Sequence, residues 1–322
     1  MTAVYITIDT EYSAALAQSL GLGAQEENFA RSIACETQGG AVGIHHQMDV
    51  MEANNVRGCF FVDPLPAIVW GTQAIRRIVE PIVSRGHDVQ LHLHTEWLEL
   101  AGESNPLGRS TGRNMHDFTL REQIALLELG RKLLVEAGAP VPIAFRAGNY
   151  GSNDDTLRAL RHVGIAYDTS HVPGIDQSAC QISLSHAVQR VTRYQGVLEV
   201  PVGTIRSIRG LRHAQVTALS AWEMGAAIRF AVQNEVPMLN LVSHSFELMS
   251  RDRERVNRVV TDRFAKLCHL INATSGARSE TFSSRPPLEG DETGCARMPV
   301  SEVRTAARIA EQLIANQLYG SA

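Results

Sequence analysis

From Val4 to Ser245 the chain alternates between short runs rich in β-branched and aromatic residues and longer amphipathic segments. No other feature constrains the fold as much. The short runs are "VYITID" (Val4–Asp9), "RGCFFVD" (Arg57–Asp63), "DVQLHLH" (Asp88–His94), "PIAFRAG" (Pro142–Gly148), "IAYDTS" (Ile165–Ser170), "GVLEVPVG" (Gly196–Gly203) and "VPMLNLVSHS" (Val236–Ser245). Between them lie helical patterns. Ile44, Met48 and Met51 recur at helical spacing, and "QAIRRIVEPIVSRG" does the same, with Pro81 predicting a kink or a junction. "TLREQIALLELGRKLLVEAG" begins with a Thr119–Glu122 capping box and closes at Gly138. "SNDDTLRALRHVG" is capped by Ser152 or Asn153, and "TALSAWEMGAAIRFAVQNE" precedes the last strand. A strand–helix rhythm repeated about seven times predicts parallel strands with helices outside them. No internal sequence repeat accompanies it.

Composition narrows the function classes. The chain has 322 residues, 44% of them hydrophobic and 20% charged, with a net charge of −4. That is ordinary globular usage, without the basic stripe of a nucleic-acid-binding surface. No apolar run is long enough to span a bilayer, and "MTAVYITIDTEY" lacks the basic and apolar regions of a secretory signal. Five scattered cysteines (Cys35, Cys59, Cys180, Cys268, Cys295) form no CxxC pair. An odd count of this kind is expected of free thiols in a reducing compartment, so the expected location is cytoplasmic. Cys59, inside "CFFV", reads as a small core residue.

Past Asn272 the texture changes. "TSGARSETFSSRPPLEGDETGCARMP" is rich in Ser, Gly, Pro and charge, the composition of a linker or mobile loop. "VSEVRTAARIAEQLIANQL" follows, capped by Ser301. Val303, Ala306, Ala310, Leu313, Ile314 and Gln317 or Leu318 form its apolar stripe. The expected division is a catalytic-type domain over 1–286, then linker and amphipathic helix over 287–322. The helix either packs on its own domain or forms a homodimer contact.

In a parallel α/β sheet or barrel the C-terminal strand ends converge on one face, where sites form. Here those ends read "TIDTEY", "LHLHTEW", "FRAGNY", "YDTSH" and "LVSHSF", offering Asp9, Glu11, His92, His94, Glu96, Arg146, Asp168 and His244. Singly, each has an ordinary structural role: a cap, an ion pair, a satisfied strand-end histidine. Together they suggest a site. Residues two apart on a strand face the same side, so Asp9 pairs with Glu11 and His92 with His94. Imidazole and carboxylate are the ligands of Zn, Fe, Mn or Co. Such an ion acidifies a water and polarises a carbonyl, while a free acid and a free histidine nearby can move protons.

These motifs resemble the polysaccharide deacetylase superfamily (NodB-homology, carbohydrate esterase family 4-like) over about Val4 to Pro286. "VYITIDTEY" is similar to its first motif, "MDVMEANNVRGCFFV" to the stretch before its second strand, and "SRGHDVQLHLHTEW" to "GHEIGNHxxxH". "FRAGNYGSNDDTLRALRHVGIAYDTS" resembles the third and fourth motifs, and "LVSHS" the final "LxxH". The resemblance implies a distorted (β/α)7 barrel that hydrolyses an amide with one divalent metal, zinc first and Fe, Mn or Co as alternatives. It implies Asp9 as general base, Arg146 as its orienting partner and His244 as general acid. Glu11 and His92 become metal ligands, Leu241 lines the acetyl pocket, and Asp168 steadies the site.

Two departures matter. The family's second metal histidine falls at Glu96 here, with His94 as the competing ligand. Glu96 is favoured if the chain turns after the strand; His94 takes over, with Glu96 as its outer partner, if the strand runs straight. A Glu ligand would shift preference from Zn towards Fe or Mn. Arg146-Ala147-Gly148-Asn149 lacks the family's proline, which leaves the pocket shape around Asn149 open. Trp97 either stacks on a sugar ring or packs under its loop. His45 and His46 read as solvent or helix-end residues and His87 as structural, while His116 and His171 lie in loops able to cover the site. Arg109 and Arg113 read as a solvated basic loop, and residues 21–43 form a long loop whose Gly39, Gly40 and Gly43 permit unusual turns.

The expected activity is removal of an N-acyl group, acetyl first, from a sugar or sugar conjugate. The expected partner is a small molecule or glycan. Two alternatives stay open: hydrolysis of a non-sugar amide or cyclic ureide, and a silent carbohydrate-binding relative. Loss of Asp9 or His244 would mark the last, and both are present.

Overall fold

All nine residues of the first strand, β1 (Thr2–Thr10), are buried. A strand covered on both faces and flanked on both edges belongs in the middle of a parallel sheet. The computed structural model describes residues 1–175, 178–208, 210–290 and 298–320. Six more parallel strands join β1: β2 (Gly58–Val62), β3 (Asp88–Leu93), β4 (Ala144–Ala147), β5 (Tyr167–Asp168), β6 (Val197–Glu199) and β7 (Met238–His244). Their order across the sheet is β7-β1-β2-β3-β4-β5-β6. A short strand, Thr192–Tyr194, runs antiparallel to β6, and Ala277–Ser279 pairs with the start of β1.

The sheet curls into a distorted (β/α)7 barrel, and the seam between β6 and β7 is where it is distorted. Irregular backbone fills that gap. Gly203 N donates to Asn240 O at 3.0 Å, Val242 N to Ala214 O at 2.9 Å and Val216 N to Val242 O at 3.0 Å. Between these segments a two-stranded ladder, Thr204–Ser207 with Gly210–His213, rises from the seam. The sequence pattern gave no hint of it.

The helices of ten residues or more are α1 (Ile44–Ala53), α2 (Thr72–Ser84), α3 (Leu120–Glu136), α4 (Asp154–Val163), α5 (Ala221–Gln233), α6 (Arg258–Ala273) and α7 (Glu302–Tyr319). The expected cap at Thr119–Glu122 is formed, and Asn153 rather than Ser152 caps α4. Pro81 does not divide α2, which runs unbroken to Ser84. Its buried stripe of Ile75, Ile78, Val79 and Ile82 spans the proline and holds the element on the sheet. No helix among the described residues connects β5 to β6. No helix among them is long and apolar enough to cross a membrane.

Alternation along the strands sorts side chains into two compartments. Val4, Ile6 and Ile8 of β1 point outward into the core shared with the helices, beside Leu241 of β7 and Met224 and Ile228 of α5. Tyr5, Cys59, Phe61, Ala144 and Leu198 point inward and close the lower barrel around Phe282. The Phe282 ring lies 5.6, 5.7 and 5.8 Å from those of Tyr5, Phe61 and Tyr167. Above this floor is a polar layer of Thr7, Arg146, Thr169 and Asn240. Beyond it lies the barrel mouth.

Helix α7 is tethered to the barrel's outer helices through charge. Arg263 of α6 holds Glu311 at 2.6 Å, and Arg308 approaches Glu223 of α5 at 3.5 Å. Only Ala315 of this helix is buried, while Val303, Leu313, Ile314 and Leu318 are exposed. Cys295 and most of the linker's second half lie outside the described residues.

Candidate active site

Strand register alone brings the first residues together. Asp9 is the lateral neighbour of His244 across β1 and β7, and His92 that of Arg146 across β3 and β4. Adjacent strands are ~4.8 Å apart, so inward side chains at matched heights must meet. Arg146 is fully buried and donates from Nη1 to Asp9 Oδ1 at 2.5 Å and from Nη2 to Thr7 Oγ1 at 2.8 Å. Its guanidinium lies 4.5 Å over the Phe61 ring. Burial pushes the Asp9 carboxyl up, but the Arg146 guanidinium, by its charge and its hydrogen bond, outweighs this with help from His244, and the group is held below its ordinary range.

On the far side of Asp9, His244 Nε2 stands 3.8 Å from Oδ2. The imidazole is oriented from behind by Glu247, whose Oε1 accepts from Nδ1 at 2.8 Å and whose Oε2 accepts from Ser243 Oγ at 3.0 Å. Burial opposes the charged form of His244, yet Glu247, Asp9 and Glu11 together raise its pKa to about 9. Both shifts run in the direction that favours an ionised acid next to a protonated imidazole.

Glu11, His92 and His94 form the third component. One ligand atom from each lies within 4.8 Å of the others. His92 Nδ1–H donates to Arg146 O at 2.7 Å, which leaves Nε2 as a lone-pair donor, and burial keeps this ring neutral with a pKa near 3. His94 Nδ1–H points to Glu96 Oε2 at 3.3 Å, so its Nε2 is also free for a ligand. Glu11 Oε2 is buried without a hydrogen-bond partner. Two imidazoles with committed Nδ1 atoms and a carboxylate oxygen lacking any partner are a donor set that fits a divalent ion. The surplus of carboxylates is visible in His94 itself. Burial disfavours its charge, but Glu96, Glu11 and Asp63 draw its pKa up to about 9.

Several sequence expectations are corrected. Glu96 is not in the three-residue group. The strand ends at Leu93, yet the His94 ring stays 4.9 Å from that of His92, and Glu96, in the turn that follows, bends back onto His94 Nδ1, with Oε1 accepting from Asn149 Nδ2 at 3.1 Å. Leu241 lies on the outward face of β7, one residue out of phase with His244, and so cannot line the site. Asp168 also points out of the barrel. It accepts from Ser170 N and Oγ, both at 2.9 Å, and lies against Glu199, and burial raises both carboxyls. Trp97 is wholly buried with its ring 4.9 Å from Trp70, and presents no face to a sugar. Arg109 and Arg113 are exposed, and His87 sits at the opposite end of the barrel beside Glu52. His171 is 6.2 Å from His186, and His116 pairs with Asp117; neither joins the cluster.

Four residues at the mouth were not anticipated. Asp63 follows the end of β2, with Oδ1 accepting from Leu65 N at 3.0 Å and Oδ2 unpartnered; burial lifts its pKa to about 8. The acid closing "CFFVD" was a readable signal. Glu247, three residues beyond His244, was another. Tyr150 and His213 had none. Asn149 and Tyr150 both have left-handed backbone (φ 56° and 57°), and His213 arrives on the seam ladder. Their rings lie 5.5 Å apart, and Tyr150 Oη and His213 Nε2 are both buried without partners. Backbone strain of this kind costs about 1–3 kcal/mol per residue and clusters at functional sites. Gly148, just before it, is required for space: a Cβ there would lie 2.7 Å from Leu93 O and 2.8 Å from His94 Nδ1.

No protein-family model and no curated protein matches this sequence. Solved structures do. A candidate polysaccharide deacetylase from Mycobacterium smegmatis superposes with a TM-score of 0.57 at 16% identity, covering 88% of this chain and 87% of its own. The 4-alpha-glucanotransferase of Thermococcus litoralis gives 0.51 at 10% identity, over 88% of this chain and 39% of that one. A family 4 carbohydrate esterase from Streptomyces lividans gives 0.43 at 11% identity, over 90% and 98%. The likeness is one of fold, and the barrel is of the NodB/polysaccharide deacetylase type. A shared barrel does not by itself assign chemistry.

Proposed function

We propose that the protein is a metal-dependent hydrolase that removes an N-acyl group, acetyl first, from a sugar or sugar conjugate. One arrangement carries the reading: Asp9, ionised against Arg146, stands between the His244–Glu247 pair and the Glu11–His92–His94 trio. A divalent ion held by Glu11, His92 and His94 would supply the Lewis acidity that polarises an amide carbonyl and acidifies a water. The replacement of Glu96 by His94 makes that set two imidazoles and one carboxylate, which favours zinc over the harder ions.

The chain's own groups supply the proton traffic. Asp9 is held deprotonated by Arg146 and is placed to take the proton of the attacking water. His244 carries a proton that Glu247 steadies at Nδ1, leaving Nε2–H to be given to the departing amine. Arg146 is out of reach of substrate and works by fixing the Asp9 carboxylate. Tyr150 Oη and His213 Nε2 are unused polar groups at the same mouth, available to the substrate's hydroxyl or carbonyl groups.

A second reading keeps the chemistry and changes the substrate to a non-sugar amide or cyclic ureide. The cleft lined by Glu11, Ser13, His94, Glu96, Phe246 and Arg253 is only about 190 Å³, which suits a small molecule as well as one sugar ring. Both readings take a small-molecule or glycan partner and no nucleic acid. The test is acetate release from a panel of N-acetyl sugars and non-sugar amides by zinc-loaded protein, with Asp9→Asn as control. Release by wild type that is lost in the variant supports hydrolysis. Equal rates across the whole panel would leave a binding protein.

A further inference from the structure

The cleft that reaches the metal-type trio has a cation in its wall. Arg253, in the loop after β7, lines it together with Glu11, His94, Glu96 and Phe246. Its guanidinium forms no salt bridge among the described residues. Nη1 donates to Arg31 O at 3.4 Å and to Ser32 Oγ at 3.2 Å, both neutral acceptors. Nε and Nη2 donate to no described residue. The Nε–Nη2 edge is the one that grips a carboxylate or phosphate with two parallel hydrogen bonds.

The head group is also fixed in place. It lies 4.7 Å over the Phe246 ring, and Phe246 in turn lies 5.2 Å from the His244 imidazole. The stack runs from the proton donor to the cation through one aromatic ring. The backbone of Arg253 is held in the left-handed region, φ 59°, where a non-glycine residue is strained. Burial lowers the pKa of this arginine, so its charge is partly stripped of water without a dedicated counterion. The acids that share the cleft wall are Glu11, a member of the metal-type trio, and Glu96, which is engaged by His94 and Asn149.

We propose that Arg253 is the anion-recognition residue of this site, and that the preferred substrate carries a carboxylate or phosphate held by its free Nε–Nη2 edge, one aromatic ring away from His244. The inference takes the hydrolase reading of the cleft as its setting and adds a substrate class to it. Neutral N-acyl sugars would enter the same cleft and leave the arginine edge unmatched.

The probes are N-acetylglucosamine as the neutral member, N-acetylmuramic acid as the carboxylate, and N-acetylglucosamine 6-phosphate and 1-phosphate as the phosphates. Calorimetric binding is measured on the zinc-loaded full chain in the Asp9→Asn background, where turnover cannot confuse the readout. Binding of at least one anionic probe about tenfold tighter than the neutral one is expected. Arg253→Met should bring that ratio close to one, and Arg253→Lys should leave part of it. Circular dichroism and thermal midpoint establish that each variant folds. The carboxylate and phosphate arms say which anion is used. No anionic probe binding more tightly than the neutral one, including the case in which none binds, overturns the proposal, as does an unchanged ratio in folded Arg253→Met. Anion-dependent binding without acetate release from the wild type would leave Arg253 standing and remove the hydrolase reading instead.

Discussion

Glu96 stands behind His94: its Oε2 is 3.3 Å from His94 Nδ1, and Glu96 itself is outside the Glu11–His92–His94 group. A carboxylate in that position fixes the tautomer and raises the basicity of Nε2. The expected order of zinc affinities is therefore wild type, then Glu96→Gln, then His94→Ala. Loss of such an outer carboxylate costs about 10–100-fold, and loss of the imidazole should cost more. Competition against a chromophoric chelator measures both. A Glu96→Gln defect equal to or larger than that of His94→Ala would make Glu96 a direct ligand.

The Asp9–Arg146 pair predicts an asymmetry in stability. Both side chains are buried, so removing either partner leaves an uncompensated charge. Arg146→Met should lower the free energy of unfolding by about 3–5 kcal/mol. Adding Asp9→Asn to it should recover a substantial part of that loss, because the stranded charge is gone. Urea titrations of the two single variants and the double variant decide the matter; simple additivity would mean the two groups do not act as a pair.

His87 predicts an acid limb of stability that has nothing to do with the site. Gly58 N–H donates to its Nδ1 at 3.1 Å, and Nε2–H points to Glu52 Oε1 at 3.1 Å. Protonation would destroy the first bond, and burial lowers its pKa from 6.5 to about 4. A folded-state pKa below the unfolded value means that the contribution is complete above pH 6.5 and fades as pH falls to about 4. The amount at stake is at most about 3 kcal/mol. His87→Gln should flatten the thermal midpoint between those two pH values relative to wild type.

Much of this architecture is written in strand phase. The alternation that puts Asp9, His92 and His244 inside the barrel is visible in the sequence, and so is the rule that parallel strand ends share one face. Phase also explains the misplacements. Leu241 and Asp168 are each one residue from an inward position, and on a strand one residue is half a turn. Glu96 and Trp97 follow the last strand residue, where a turn or a straight run changes every side chain's direction. Tyr150 and His213 depend on left-handed backbone and on the seam ladder, neither of which leaves a periodic trace. The site's framework is thus legible, and its lining is not.

The floor of the barrel has a consequence for synthesis. Phe282 seals the interior from beneath, and β1 is held on one edge by β7 and at the start of the other by Ala277–Ser279, both from the far end of the chain. Of the seven barrel strands, the one synthesised first is thus the one that waits longest for its last partners. Until that distant stretch emerges, β1 exposes an edge and the barrel interior stays open to water, so a nascent chain halted before Phe282 is a target for chaperones and proteases.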